Sequence, residues 1–198
     1  MKGVAGVVLT ILAGLGGGAG LAAVFIAGFA GVGGVSNDVW RTNPAVGAPA
    51  ANPAIRAGVA RIGLLALNQK EAVYFMAGSD AAGRPLDEAC VYRLTGSDLP
   101  ARWWSVTLYA EDNYLARNGE AAHAISADSV VRNLGGAFSA VISAARPAGA
   151  QNWLASKNAG AFTLTARLYN PDEKALADLA GIELPRIERV SCGREEAS

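Results

Sequence analysis

The chain has 198 residues, enough for one domain with a substantial core and too few to expect two. Its 17 Lys and Arg balance its 17 Asp and Glu, so the formal net charge is zero and there is no electrostatic case for nucleic-acid binding. Charged residues are absent between Lys2 and Asp38, and that gap accounts for most of the positive mean hydropathy.

The uncharged stretch from Gly3 to Val35 exceeds the ~20 apolar residues that a helix needs to cross a bilayer. A transmembrane anchor over residues 1–36 is the leading reading. Three others compete. Gly28-Phe29-Ala30 has the small-x-small pattern of a signal-peptidase site, although the apolar run is longer than the usual ~7–15 residues. Gly14-Leu15-Gly16-Gly17-Gly18-Ala19 matches the dinucleotide fingerprint, but neither a βαβ pattern nor the expected acidic residue follows. A buried core helix would rarely be this long or this glycine-rich. In a membrane, the pairs Gly14/Gly18 and Gly16/Gly20, continued by Ala23, Ala27 and Gly31, would let a second helix approach closely. Self-association or a membrane partner is therefore an expected use of this helix. Lys2 on the N-terminal flank favours a cytoplasmic N-terminus and an external body.

Residues 37–52, rich in Pro, Ala and Asn, read as a linker, with Trp40 at the headgroup level. The remaining residues, 53–198, are expected to form the folded domain. Asn52 can cap a helix that opens at Pro53 and carries Ile55, Val59, Ile62 and Leu65 on one face. Gly58 and Gly63 weaken that helix. From residue 71 the apolar period becomes two. Strands are expected over 71–78, 88–96, 102–110, 121–127, 137–144 and 161–170, separated by Gly-, Asn- and Pro-containing turns. A short helix is expected after Asn170 as cap and Pro171 as first helical residue, ending near Gly181. The tail through Pro185 to Cys192 suits an edge strand. The pattern is that of an antiparallel β-sandwich with two short helices.

Cys90 and Cys192 are an even pair in a chain expected to face an oxidising compartment. A bridge would close a loop of about one hundred residues; two buried free thiols are the alternative.

Alternation divides 102–110 into Trp104, Val106, Leu108 and Ala110 on one face and Trp103, Ser105, Thr107 and Tyr109 on the other. The strand over 161–170 repeats the division. Phe162, Leu164, Ala166 and Leu168 oppose Thr163, Thr165, Arg167 and Tyr169. If the strands are neighbours, the second faces combine rings for stacking, hydroxyls for directional hydrogen bonds and a guanidinium for an anion. Asp112 and Asn113 in the adjacent turn complete the candidate ligand site. The bland alternative is an ordinary one-sided sheet with polar residues to water. Catalytic signals are weak. His123, the single histidine, could pair with Ser105 or Ser126 and Asp112, but no G-x-S-x-G elbow is present. No metal-ligand spacing and no phosphate-cradling loop occur, so no cofactor is expected.

Four ordered motifs carry a resemblance: Asp80, Gly83 and Leu86; Trp104, Ser105, Thr107 and Tyr109; Asn152, Trp153 and Leu154; and Leu164, Arg167, Leu168, Tyr169 and Pro171. Together they resemble the bacterial domain-of-unknown-function family 1214 over about residues 70–190, with Ala166 where a leucine is common. The resemblance implies a jelly-roll-like β-sandwich and no particular activity. Many members of that family carry a second, upstream domain; a membrane segment is expected in its place here. The expected function is a membrane-anchored, periplasm-facing β-sandwich that binds a small polar, carbohydrate or lipid-derived ligand or an envelope partner. A structural accessory subunit of an inner-membrane complex and an envelope glycan or lipid hydrolase are the alternatives.

Overall fold

Period-two alternation from residue 71 onward does form strands, and their apolar faces meet in one core. The computed structural model describes residues 2–29, 34–61 and 64–193. In chain order these are α1 (Lys2–Phe29), β1 (Val35–Asn37), β2 (Trp40–Thr42), α2 (Pro53–Arg61), β3 (Ala72–Ala77), β4 (Cys90–Gly96), β5 (Ala101–Tyr109), β6 (Ala124–Ser126), β7 (Phe138–Ser143), β8 (Asn152–Ala155), β9 (Thr163–Pro171), α3 (Glu173–Ala177) and β10 (Arg186–Cys192). A six-stranded sheet runs β1-β2-β3-β9-β5-β6, and a four-stranded sheet runs β10-β4-β7-β8. The fold is mainly β, with two sheets packed on one core, three helices among the described residues and no closed barrel.

The six-stranded sheet contributes Phe75, Trp104, Val106, Leu108, Leu164 and Leu168 to the core, and the four-stranded sheet contributes Tyr92, Leu94, Ile142, Leu154 and Ile187. Trp104 of β5 stacks on Phe138 of β7 across the two layers, with ring centroids 5.4 Å apart. Burial of these large side chains is the main source of stability, at about 1.5–3 kcal/mol for each fully buried one. Truncating Trp104, which is 1% exposed, to Ala is expected to cost about 3–5 kcal/mol in denaturant unfolding; a loss under ~1 kcal/mol would show that the layers do not depend on it.

Four expectations need correction. Trp40 is not at a membrane surface; it is buried in the core, and its indole Nε1 donates to the Pro185 carbonyl at 2.8 Å. The reason is a two-residue hairpin. Asp38 adopts φ 53°, Asn37 pairs with Trp40, and the hairpin adds β1 and β2 to the edge of β3. The linker expected from composition therefore begins with sheet.

The second correction concerns α2. The Asn52 side chain caps it, accepting from Ile55 N at 2.9 Å, but residues 64–67 form no regular secondary structure. The third is α3, which starts at Glu173 with Asp172 at its N-cap, because Asn170 and Pro171 remain in β9. The fourth is that β7 and β8 pair in parallel, so the four-stranded sheet is mixed while the six-stranded one is antiparallel. β8 is only four residues long, and the return of roughly 10 Å fits the short intervening loop. Asn152 holds β8 in place. Its amide accepts from Val131 N at 2.7 Å and donates to the Val131 and Ser139 carbonyls at 2.8 and 3.0 Å.

Two features brace the four-stranded sheet at β10. Cys90 and Cys192 are joined by a disulfide between facing positions of β4 and β10. The fully buried Asp80 accepts from the backbone N–H groups of Ala82 and Arg84, each at 3.0 Å, and from Arg84 Nε at 2.9 Å. Gly83 within that turn has φ +77°, a conformation that costs glycine little. Arg189 of β10 brings its Nε to 3.0 Å from Asp80 Oδ2, although that N–H is not aimed into a hydrogen bond.

At the N-terminus, Val4–Ala23 within α1 has mean hydropathy 1.9 and is long and apolar enough to be a membrane span or a signal sequence. A Cβ added at Gly14, Gly16, Gly18 or Gly20 would meet nothing within 4 Å, so these glycines lie on open helix surface. Ala30 and Gly31, like Ile62 and Gly63 beyond α2, lie outside the described residues.

Candidate functional site

The outer face of the six-stranded sheet is where β3, β9 and β5 bring the candidate residues together. Register sets Tyr74, Arg167 and Ser105 in one row, Met76, Thr165 and Thr107 in the next, and Thr163 beside Tyr109 beyond them. Tyr169 pairs with Trp103 at the other end.

This face is partly roofed. The Tyr74 hydroxyl donates to the Leu65 carbonyl at 3.1 Å and accepts from Leu67 N at 3.2 Å, which holds the irregular segment 64–67 over the sheet. Ser105, Thr107 and Thr165 are buried rather than open to water. Between roof and sheet lies a cavity of about 230 Å³ lined by Leu64, Leu65, Met76, Tyr109, Asn113, Thr163, Thr165 and Arg167.

Arg167 dominates this cavity. Its Nη1 donates to Thr107 Oγ1 at 3.2 Å and its Nη2 to the Tyr109 hydroxyl at 2.6 Å. The guanidinium carbon also lies 5.3 Å from the Tyr109 ring centroid. Those two bonds orient the group without neutralising it. Among the described residues no carboxylate forms an ion pair with Arg167. A guanidinium has five N–H donors, so three remain for an acceptor. Tyr109 accepts from Arg167, and its own hydroxyl hydrogen stays available. Asn113, at φ 64° in the turn after β5, adds an amide to the lining. The hydroxyl of Thr163, another lining residue, is buried without a hydrogen-bond partner. Such a group is costly to leave unsatisfied.

The expected site residues divide into two groups. Thr107, Tyr109, Asn113 and Arg167 converge at the cavity. Trp103 and Tyr169 pack on each other with centroids 5.4 Å apart, and Trp103 Nε1 donates to Asp128 at 2.6 Å. Six residues of strand separate Trp103 from Tyr109, roughly 20 Å, too far for one small ligand to touch both. Ser105 is buried between the two groups. Asp112 is exposed and accepts from Tyr114 N at 3.0 Å, so its carboxylate serves the turn. Tyr74 and Met76 contribute and were not among the expected residues; both were legible as the alternate face of 71–78. Leu64 and Leu65 were not, because the helical pattern runs on through them.

His123 Nδ1 is buried without a hydrogen-bond partner, so no acid orients that imidazole as a base. Among the described residues no group of three or more His, Cys, Asp or Glu is placed to hold a metal ion.

The fold and face define a two-sheet, mainly-β domain with an arginine-bearing cavity against its larger sheet. The chain belongs to the family described as Protein of unknown function (DUF1214), whose model matches residues 71–173. A solved structure of the VPA0106 protein from Vibrio parahaemolyticus is similar, with 26% identity and a TM-score of 0.58. The match covers 72% of this chain and only 36% of that one. A putative uncharacterized protein from Burkholderia cenocepacia is more distant, at 19% identity and TM-score 0.41, covering 64% of this chain and 31% of that one. No curated protein matches the sequence.

Proposed function

We propose that this domain is a binding module, not an enzyme, and that its ligand is a small organic anion held by Arg167. One observation carries the reading: a guanidinium fixed by Thr107 and Tyr109 faces a cavity and has no carboxylate partner among the described residues. The planar fork suits a carboxylate, the Tyr109 hydroxyl and Asn113 amide add donors, and the buried Thr163 hydroxyl adds a further polar group.

Calorimetric titration of the full chain in lipid nanodiscs tests this with hexanoate as the anion and hexylamine as the cationic control. Hexanoate is expected to bind and hexylamine not to. Arg167→Gln should weaken hexanoate by about tenfold or more, the loss expected of a charge-assisted hydrogen bond. The same substitution should lower stability by only ~1 kcal/mol, because it removes bonds to two neutral hydroxyls. No hexanoate binding by the wild type, or equal binding by Arg167→Gln, would sink the reading.

For placement, we propose that α1 anchors the chain with a cytoplasmic N-terminus and the domain in the periplasm. Lys2 before the apolar run and the Cys90–Cys192 bridge both support it. Alkaline phosphatase fused after residue 193 should be active in intact bacteria; an inactive fusion reverses the orientation.

A further inference from the structure

A second cavity adjoins the first. It measures about 330 Å³, and its lining includes Val35, Val46, Ile55, Val59, Leu64 and Met76. Leu64 and Met76 line both cavities and form the wall between them. The two differ in chemistry, although the second also takes in Thr42, Asn43 and Tyr74 beside its aliphatic side chains. The sheet side offers Arg167, Tyr109 and Asn113, whereas the α2 side is a mainly aliphatic slot. Arg41 and Ser36 also reach the slot, but both are exposed and Arg41 Nη1 donates to Ser36 Oγ at 2.5 Å. Size separates the options. At about 230 Å³ the polar cavity falls below the ~300–1,000 Å³ of typical ligand sites, whereas the two joined fall within that range. The side chains shared by both linings, Leu64 and Met76, are unbranched or singly branched and have several accessible rotamers through which the two could join.

The slot also lies on the side of the domain nearest the apolar helix. Cα atoms of α1 and α2 approach within 8 Å, and α2 supplies Ile55 and Val59 to the slot. The wall residue Leu64 continues into Leu65, which is 86% exposed. A mainly apolar slot beside a helix fit for a bilayer, separated from a fixed guanidinium by two adaptable side chains, suits a molecule with an anionic head and a hydrocarbon tail.

We propose that the ligand is a single-chain amphiphilic carboxylate, its head on Arg167 and its chain passing between Leu64 and Met76 into the slot beneath α2. The proposal rests on the anion reading of Arg167 and adds the tail. Burial of each methylene favours binding, so affinity rises with chain length until the slot is full. The polar half falls within the residues matched by the family model, while Val35, Val46, Ile55, Val59 and Leu64 precede them. Tail selection is thus assigned to the segment of this chain that joins α1 to β3.

The test uses the full chain in lipid nanodiscs and decanoic acid bearing a terminal diazirine. After irradiation, carbene insertion is mapped by peptide mass spectrometry. Insertion is expected in the peptides holding Ile55, Val59 and Met76. Excess unlabelled decanoate should remove it and decanol, with the same chain and no charge, should not. Arg167→Gln should lower insertion about tenfold or more. Val59→Trp, which fills the slot, should abolish insertion yet bind hexanoate as the wild type does, and Gly58→Leu provides a second filling variant. Hexanoate binding shows that either variant is folded. Insertion confined to α1, or insertion displaced by decanol and unchanged in Arg167→Gln, overturns the tail proposal. If hexanoate still binds through Arg167 in that case, the anion reading stands alone; if neither probe binds, both fall.

Discussion

Removing the Cys90–Cys192 bridge is expected to destabilise the domain by about 4–5 kcal/mol, the value the chain-entropy model gives for a loop of about one hundred residues. The sequence separation is 102, which places this bond near the upper end of what one disulfide contributes. Most of the effect acts on the unfolded chain, whose ends it ties together from β4 to β10. The folded state also has reason to need it. β10 is an edge strand, and its pairing with β4 is interrupted by a register shift between Arg189 and Ser191. The cysteine pair lies just beyond that irregularity, where the ladder is weakest. The double substitution Cys90→Ala/Cys192→Ala avoids leaving a free thiol. For a chain of this size it should lower Tm by roughly 10–15 °C relative to the oxidised wild type. Reductant should lower the wild type by a similar amount and leave the double variant unchanged. A shift under ~2 °C would show that the edge strand is held by its hydrogen bonds and side chains alone.

Which parts of this structure were legible in the sequence follows from which forces are local. The division of β5 and β9 into two faces depends only on the period of two, and the inward residues Trp104, Val106, Leu108, Leu164 and Leu168 are all buried. That β5 and β9 are direct neighbours, with Ser105 opposite Arg167, is long-range pairing that alternation alone leaves open. The roof was illegible for a sharper reason. Ile55, Val59 and Leu65 fit a helical stripe, so periodicity carries the helix through residue 65. The chain is instead irregular at 64–67, where the Tyr74 hydroxyl bonds to the backbone on both sides of Ala66. A single tertiary contact thus decides whether the outer face is an open surface or a covered cavity. Trp40 repeats the point. An aromatic just after an apolar run fits a membrane interface by pattern, but the Pro185 carbonyl and a two-residue hairpin draw it into the core.

Asp80→Ala is expected to cost about 3–5 kcal/mol, because it leaves buried partners without their acceptor. The carboxylate serves two backbone N–H groups and Arg84 Nε, and the Arg189 guanidinium lies beside it. Its titration is set by opposing causes. Burial alone would push the acid upward; hydrogen bonds from the Arg84 and Ala82 backbone and the Arg84 side chain, with the Arg84 charge, outweigh burial and hold it below 3.8. The sign of the linkage follows. The folded state favours the ionised form more than the unfolded state does, so this stability is fully present above the ordinary carboxylate range and is lost as pH falls through the lowered value. Asp80→Asn keeps the shape but removes the charge, so its stability should fall less on acidification. Denaturant unfolding from pH 7 to pH 3 should show the gap between wild type and Asp80→Asn closing only below about pH 4. Asp98 titrates in the same window, lowered first by its hydrogen bonds from Arg132, opposed by burial, and helped by Trp104. It is more than half exposed, so solvent screening makes its contribution small, and Asp98→Asn serves as the control. A gap that stays constant across the range would mean that the Asp80 oxygens matter only as neutral acceptors and that the charge beside Arg189 adds nothing to the fold.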